Sequence, residues 1–274
     1  MGTVYITYPT GADIEDDVCA TRASVKVSSI PKNIYGLDRN IPESIRRQIR
    51  QDCGFGCVVC GCAVVQYEHI DPPFSEATAH EPDKIALLCG SCHDRVTRGI
   101  WSKDKILGAR RTPKTFKQGF TKDAFDFTVP FELFVGDNSF KDVRCVVRKD
   151  NDEWLSIEPP EAPEGPPRLN AKFFAPNGEP ALEICQNEWR CPTDLWDLKI
   201  FGPQIEVWTA RRNPMLRLKA QPPHGLQILS LDMQLGDAGV LVSPTGAVRL
   251  TVAGTVIEMK ASDVNVADAI FSLP

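Results

Sequence analysis

An α+β fold is predicted: a small core of two strands and a helix clamped by paired cysteines, then an all-β C-terminal region, a sandwich or a β-solenoid. Three observations predict it. Two C-x₂-C pairs, Cys57/Cys60 and Cys89/Cys92, bracket strand-like and helical segments. Alternating apolar runs recur from Phe125 onward. Prolines and turn dipeptides punctuate those runs wherever a helix would otherwise continue.

The 274 residues are enough for one large or two modest domains, and 42% hydrophobic with 24% charged residues is the balance of a globular chain. No apolar run reaches the roughly 20 residues of a membrane helix, so no membrane association is expected. Met1 to Asp17 is polar and acidic where a signal peptide would be apolar, so a cytoplasmic location is expected. The net charge of −5 is unevenly spread. Asp94 to Lys122 holds nine Lys or Arg against two Asp, whereas residues 123–274 hold fourteen basic against twenty-two acidic side chains. A basic stretch in an acidic chain is an electrostatic footprint for phosphate, or else a solvated helical face.

Three segments follow. Residues 1–38 carry two short strand-like runs, Val4–Tyr8 and Ala23–Ser29, and no recognisable motif. Residues 39–122 open with a helix start at Asn40-Ile-Pro-Glu43: Asn40 suits a cap, Pro42 the first turn and Glu43 a capping box. Ile45 and Ile49 lie one turn apart, Arg46, Arg47 and Arg50 take the polar side, and Gly54 and Gly56 end the helix near Asp52. Residues 123–274 form the β-rich region. Its strands are expected at Phe131–Val135, Val143–Val147, Ala181–Ile184, Gln204–Thr209, Met215–Lys219, Leu226–Leu231, Gly239–Val242, Val248–Val252 and Thr255–Met259. Five prolines within 158–167 exclude a helix or central strand and mark a linker or long surface loop.

Six of the ten cysteines lie between Cys53 and Cys92, and such pairing in a chain with an ordinary core reads as metal binding rather than as a disulfide scaffold. Two C-x₂-C turns each present two thiolates in one direction, which closes a tetrahedral zinc site at Cys57, Cys60, Cys89 and Cys92. Four sulfurs leave no position for water, so this zinc is structural. Cys53 and Cys62 are read as spare thiols. Val64–Ile70 reads as a strand ending in Glu68-His69, followed by a loop of about a dozen residues and a short apolar strand, Ile85–Leu88. Cys89 opens a helix that Gly99 closes as a C-terminal glycine. Strand, loop, strand and helix gather Glu68, His69 and His93 around one pocket. Neighbours on a strand normally face opposite ways, so Glu68 and His69 belong together only at a strand end that twists into the loop.

From Ile45 through Cys57-x-x-Cys60, Glu68-His69-Ile70 and Ile85-x-Leu-Leu-Cys-x-x-Cys-His93 to Trp101, some 60 residues, the sequence resembles the HNH (ββα-metal) endonuclease family in its cysteine-containing branch. The resemblance implies a phosphodiester hydrolase in which His69 is the general base and Glu68 and His93 hold one catalytic Mg²⁺ or Mn²⁺. An imidazole suits base chemistry near neutral pH, and a carboxylate with an imidazole leaves a divalent ion room for water and phosphate. The family places an asparagine before its second strand to brace the loop carrying the base. Lys84 stands there, and an ammonium donates but cannot accept. Either Asp83 or His80 takes over that brace, or Lys84 itself contacts the phosphate, or activity is reduced; Lys84 thereby joins the candidate catalytic residues. Arg95, Arg98, Lys103, Lys105, Arg110 and Arg111 are the candidate contacts to backbone phosphates. DNA is the substrate that the resemblance favours, with the acidic β region meeting a protein partner or a second copy, as in a partner-gated defence effector. The alternative is a catalytically inactive zinc-knuckle module that binds nucleic acid or protein; Lys84 favours it, and the trio Glu68, His69 and His93 counts against it.

Overall fold

The computed structural model describes residues 32–149, 152–259, 261 and 263–273, without the side chains of 149 and 264–273. The strand-like runs Val4–Tyr8 and Ala23–Ser29 lie outside the described residues. Among the described residues no helix is long and apolar enough to cross a membrane. Among the described residues the fold is mostly β, with four α-helices, all before the large sheet begins.

The first part runs α1 (Glu43–Asp52), β1 (Gln66–His69), β2 (Ile85–Leu88), α2 (Gly90–Thr97), α3 (Lys103–Arg111) and α4 (Lys114–Gln118). Strands β1 and β2 pair antiparallel, from Gln66 opposite Leu88 to His69 opposite Ile85. All four residues of β2 are buried. Ile85, Leu87 and Leu88 join Ile49, Val58, Ile70, Ile106 and the cysteines in a core of their own. Each such side chain removed from water contributes about 1.5–3 kcal/mol. Helix α2 ends as its sequence requires: Gly99 takes φ +70° and donates its N–H to the carbonyl of Val96.

The start of α1 differs from expectation. Pro42, not Asn40, is the N-cap, and no side chain caps the helix. Asn40 instead donates its N–H to Asp38, and Glu43 turns away to Arg50 and Lys199. Arg50, placed by periodicity on the polar side, is buried. Its partner comes from 147 residues further on, which no local pattern can reveal.

The second part is one curled sheet. Its strands are β3 (Phe120–Ala124), β4 (Glu132–Val135), β5 (Asn138–Lys149), β6 (Asp152–Glu158), β7 (Arg168–Phe174), β8 (Pro180–Cys185) and β9 (Glu188–Pro192). They continue as β10 (Asp197–Phe201), β11 (Gln204–Trp208), β12 (Leu216–Gln221), β13 (Gly225–Leu235), β14 (Ala238–Val242), β15 (Val248–Val252), β16 (Thr255–Met259) and β17 (Asp263–Leu273). The main path runs β10-β11-β12-β13-β4-β5-β6-β7-β8-β9-β3, with β14 to β16 branching from β13, and β17 pairing with β5. Pairing is antiparallel except for β13 with β4 and β17 with β5. Two facts show the curl. Strands β9 and β10 lie near opposite ends of that path, yet residues 193–196 alone join them, a reach of at most about 19 Å. The backbone N–H of Phe174 on β7 also meets the sulfur of Met233 on β13, and these strands are not neighbours in the sheet. The concave side holds a continuous apolar core from Leu133 and Phe140 through Trp154, Leu182 and Trp189 to Leu216 and Leu250.

The proline-rich stretch joins β6 to β7, which are antiparallel neighbours, so of its two readings it is the surface loop of a hairpin. Strand β3 spans the expected boundary between 122 and 123. It stitches the two parts together: Ala63 N–H donates to the Lys122 carbonyl, and the Thr121 hydroxyl donates to the Gly61 carbonyl.

Candidate metal centre and the adjoining cleft

The sulfurs of Cys57, Cys60, Cys89 and Cys92 lie within 4.8 Å of one another, and those of Cys60 and Cys89 are 3.5 Å apart. Thiolates bound to zinc at about 2.3 Å in a tetrahedron stand about 3.8 Å apart, so the cluster has the dimensions of a Cys₄ zinc site. Local folding explains the convergence. Gly61 adopts φ +83°, so the chain reverses after Cys60 and the Gly61 N–H returns to the Cys57 carbonyl. Cys89 is the N-cap of α2, and Cys92 sits in its first turn, three residues on and on the same face. The Cys57 thiol is pushed down to about 5 by the hydrogen bond from the Cys60 thiol; burial opposes this, and the backbone N–H groups of Cys89, Cys60 and Val59 assist. A sulfur ringed by donors is prepared to be a thiolate, the form that binds metal. Cys53 and Cys62 stay outside the cluster. Burial pushes the Cys53 thiol up to about 11. Cys62 is pushed up to about 12, first by burial and then by its hydrogen bond to Asp123.

Beside the cluster, β1, α2 and the segment before α1 wall a cleft of about 630 Å³. Glu68, His69 and His93 all line it. Glu68 and His69 share it because they are the last two residues of β1, where the strand turns into the loop. His93 follows Cys92 on α2, so its side chain turns from the cysteine face toward β1. The His93 Nε2 lies 3.0 Å from a Glu68 carboxylate oxygen. That is the separation of an ordinary hydrogen bond or ion pair between an imidazole nitrogen and a carboxylate oxygen. His93 is directed to Glu68 and does not join the four sulfurs.

His69 is half-buried. Burial first, then the neighbouring His80 and Arg39, together lower its pKa from 6.5 to about 4. The Phe74 ring stands edge-on to it at 5.4 Å between centroids. Its Nε2 lies 3.1 Å from His80 Nδ1, and His80 Nε2 lies 2.9 Å from the Asp38 carbonyl oxygen.

The loop between β1 and β2 is braced by a residue that the sequence reading passed over. Asn33 donates from its amide nitrogen to the carbonyls of Phe74 and Ala77 at 2.7 and 2.6 Å. Its amide oxygen accepts the N–H groups of Tyr35 and Leu37. Lys84 lies outside the cleft lining, with its ammonium 3.7 Å from Glu81 and its carbonyl accepting the Ile70 N–H.

None of the six expected phosphate contacts lines the cleft. Lys103 and Arg111 are exposed on α3. Arg95 and Lys105 lie over the Trp101 ring, and Arg98 pairs with Asp94 one turn away on an exposed face. Arg110 is a brace: its guanidinium donates to the carbonyls of Ile85, Asp52 and Pro82 and to the Asp52 carboxylate. The cations that do line the cleft are Arg39 and Arg46. Arg39 lies over Phe74 at 4.7 Å, and the only sequence signal for either was position: both flank the helix start at residues 40–43.

The sheet reaches the cleft indirectly. Asp197, the first residue of β10, binds Arg50 through two parallel bonds of 2.8 and 2.7 Å. Arg50 in turn donates to the hydroxyl of Tyr67, which precedes Glu68 on β1. Arg47 stacks on Trp196, and Gln51 donates to the Trp196 carbonyl. No family model, no curated protein and no solved structure matches the chain.

Proposed function

We propose that this chain is a metal-dependent endonuclease of the HNH (ββα-metal) type, hydrolysing phosphodiester bonds of nucleic acid, with DNA the favoured substrate. One observation carries the reading: a carboxylate and an imidazole 3.0 Å apart, Glu68 and His93, share a cleft with a second, half-buried imidazole, His69. Glu68 and His93 would hold one Mg²⁺ or Mn²⁺, which when bound supplies charge neutralisation at the phosphate and at the leaving 3′ oxygen. His69 takes a proton from the attacking water. The water oxygen bonds to phosphorus as the bond to the 3′ oxygen breaks, giving a 5′-phosphate and a 3′-hydroxyl that gains its proton from solvent.

His69 is neutral at pH 7, as a base must be, but a pKa of about 4 makes it a weak one. Arg39 and Arg46 neutralise the phosphates flanking the scissile one. The Cys₄ zinc is structural in this reading and fixes α2, hence His93, relative to β1. The acidic β sheet serves a protein partner or a second copy rather than the nucleic acid.

The test is cleavage of plasmid, linear and single-stranded DNA by zinc-loaded protein in Mg²⁺, Mn²⁺ or EDTA. Metal-dependent cutting that generates 5′-phosphates supports the reading. Cutting that persists in EDTA, or none on any substrate, sinks it.

A further inference from the structure

We infer that His80 is a positioning residue: anchored on the Asp38 carbonyl, it holds the His69 ring in one orientation and one tautomer, with the proton on Nε2 and with Nδ1 left bare as the accepting nitrogen. This rests on His69 being the base proposed above.

The assignment follows from counting donors and acceptors along the contacts. A backbone carbonyl can only accept. His80 Nε2, 2.9 Å from the Asp38 oxygen, therefore carries hydrogen and donates. In a neutral imidazole the other nitrogen is then bare. His80 Nδ1 accepts, and among the described residues its hydrogen-bond partner is His69 Nε2 at 3.1 Å, which must donate. His69 thus has its proton on Nε2 and its lone pair on Nδ1. No other hydrogen bond to the His69 ring is made among the described residues, so Nδ1 stays available to water.

The anchor at the end of this chain is itself fixed. Asp38 closes a short turn by bridging to Lys32, and within that turn Asn33 accepts two backbone N–H groups. The same Asn33 grips the loop bearing His80 through the carbonyls of Phe74 and Ala77. Asp38 and His80 are thereby tied together independently of His69. Phe74, on that loop, meets the His69 ring edge-on and limits its rotation. The segment before α1, which carried no motif in the sequence, supplies the fixed point of the site.

The test uses the full chain and its four histidines. Nitrogen-15 imidazole spectra of the wild type should show His69 as the Nε2–H tautomer, with that proton protected from exchange. His80→Ala should lose the protected proton and lower kcat for DNA cleavage about 10- to 100-fold, with KM and zinc content unchanged. His80→Gln, whose amide can donate to Asp38 and accept from His69, should recover most of the rate and the protection. An Nδ1–H tautomer for His69 in the wild type overturns the inference while leaving the nuclease reading intact. So does a His80→Ala enzyme of wild-type kcat, or a rate that His80→Gln fails to restore in a folded, zinc-loaded protein. If the wild type cuts no nucleic acid, the reading beneath the inference fails and His80 has no reaction to serve.

Discussion

Replacing Arg50 with methionine probes how the sheet and the cysteine core are joined. The Arg50 side chain is 10% exposed and that of Asp197 0%, and two parallel hydrogen bonds link them. Methionine keeps a comparable stem but leaves the Asp197 carboxylate buried without its cation. Breaking a buried pair in this way costs about 3–5 kcal/mol. The half-exposed contact of Arg50 with Glu43 adds at most about 1 kcal/mol. At about 1.4 kcal/mol per power of ten, the folding constant should fall by two to four decades. With a urea slope of about 2–3 kcal/mol per molar, the unfolding midpoint should drop by roughly 1–3 M. The double variant Arg50→Met/Asp197→Leu removes both charges and should recover most of the loss. A loss below about 1 kcal/mol for Arg50→Met, or a double variant no more stable than the single, would refute the buried pair as the joint.

Other outcomes follow from the same geometry. Elemental analysis should find one zinc per chain. Cys57→Ser or Cys92→Ser should abolish it and unfold the core around β2, whereas Cys62→Ser should retain it; loss of zinc from Cys62→Ser would move the ligand set. His69 has a folded pKa of about 4 against 6.5 unfolded, so the unfolded state binds more protons between those values. Stability present above pH 6.5 should therefore be lost as pH falls toward 4. His69→Gln should flatten that part of the curve, read as urea midpoints at pH 7 and pH 5, and an unchanged slope would contradict the assignment. Arg39→Ala and Arg46→Ala should each weaken DNA binding and reduce the salt slope by about one, whereas Arg98→Ala, which removes an exposed pair, should do neither.

What the sequence disclosed was what is local. The C-x₂-C pairs, β2 with its four apolar residues, and α2 with its glycine stop are set by spacing and turn chemistry, and they appear where spacing put them. Strands β15 and β16 match the expected runs residue for residue, because alternation along a strand is a property of that strand. Strands β3, β6, β7, β9, β10 and β17, and helices α3 and α4, were not read. Helices α3 and α4 bury one residue each, Ile106 and Thr115, too few to give a periodic apolar face. The order of strands in the curled sheet, the Arg50–Asp197 joint and the Asn33–Asp38–His80 brace all depend on partners tens to hundreds of residues apart. Periodicity carries no information about those. Arg110 shows the same limit: its charge is visible in the sequence, but its engagement with three backbone carbonyls is not.

The central claim is that Glu68, His69 and His93 form a nuclease site, and the rate of plasmid nicking in Mg²⁺ tests it most directly. Wild type and His69→Ala should be compared at equal zinc content. A general base contributes about 10²- to 10⁴-fold, so the variant should nick at least about a hundred times more slowly while keeping its fold and its zinc. Equal rates in the two proteins would contradict the assignment of His69 as the base.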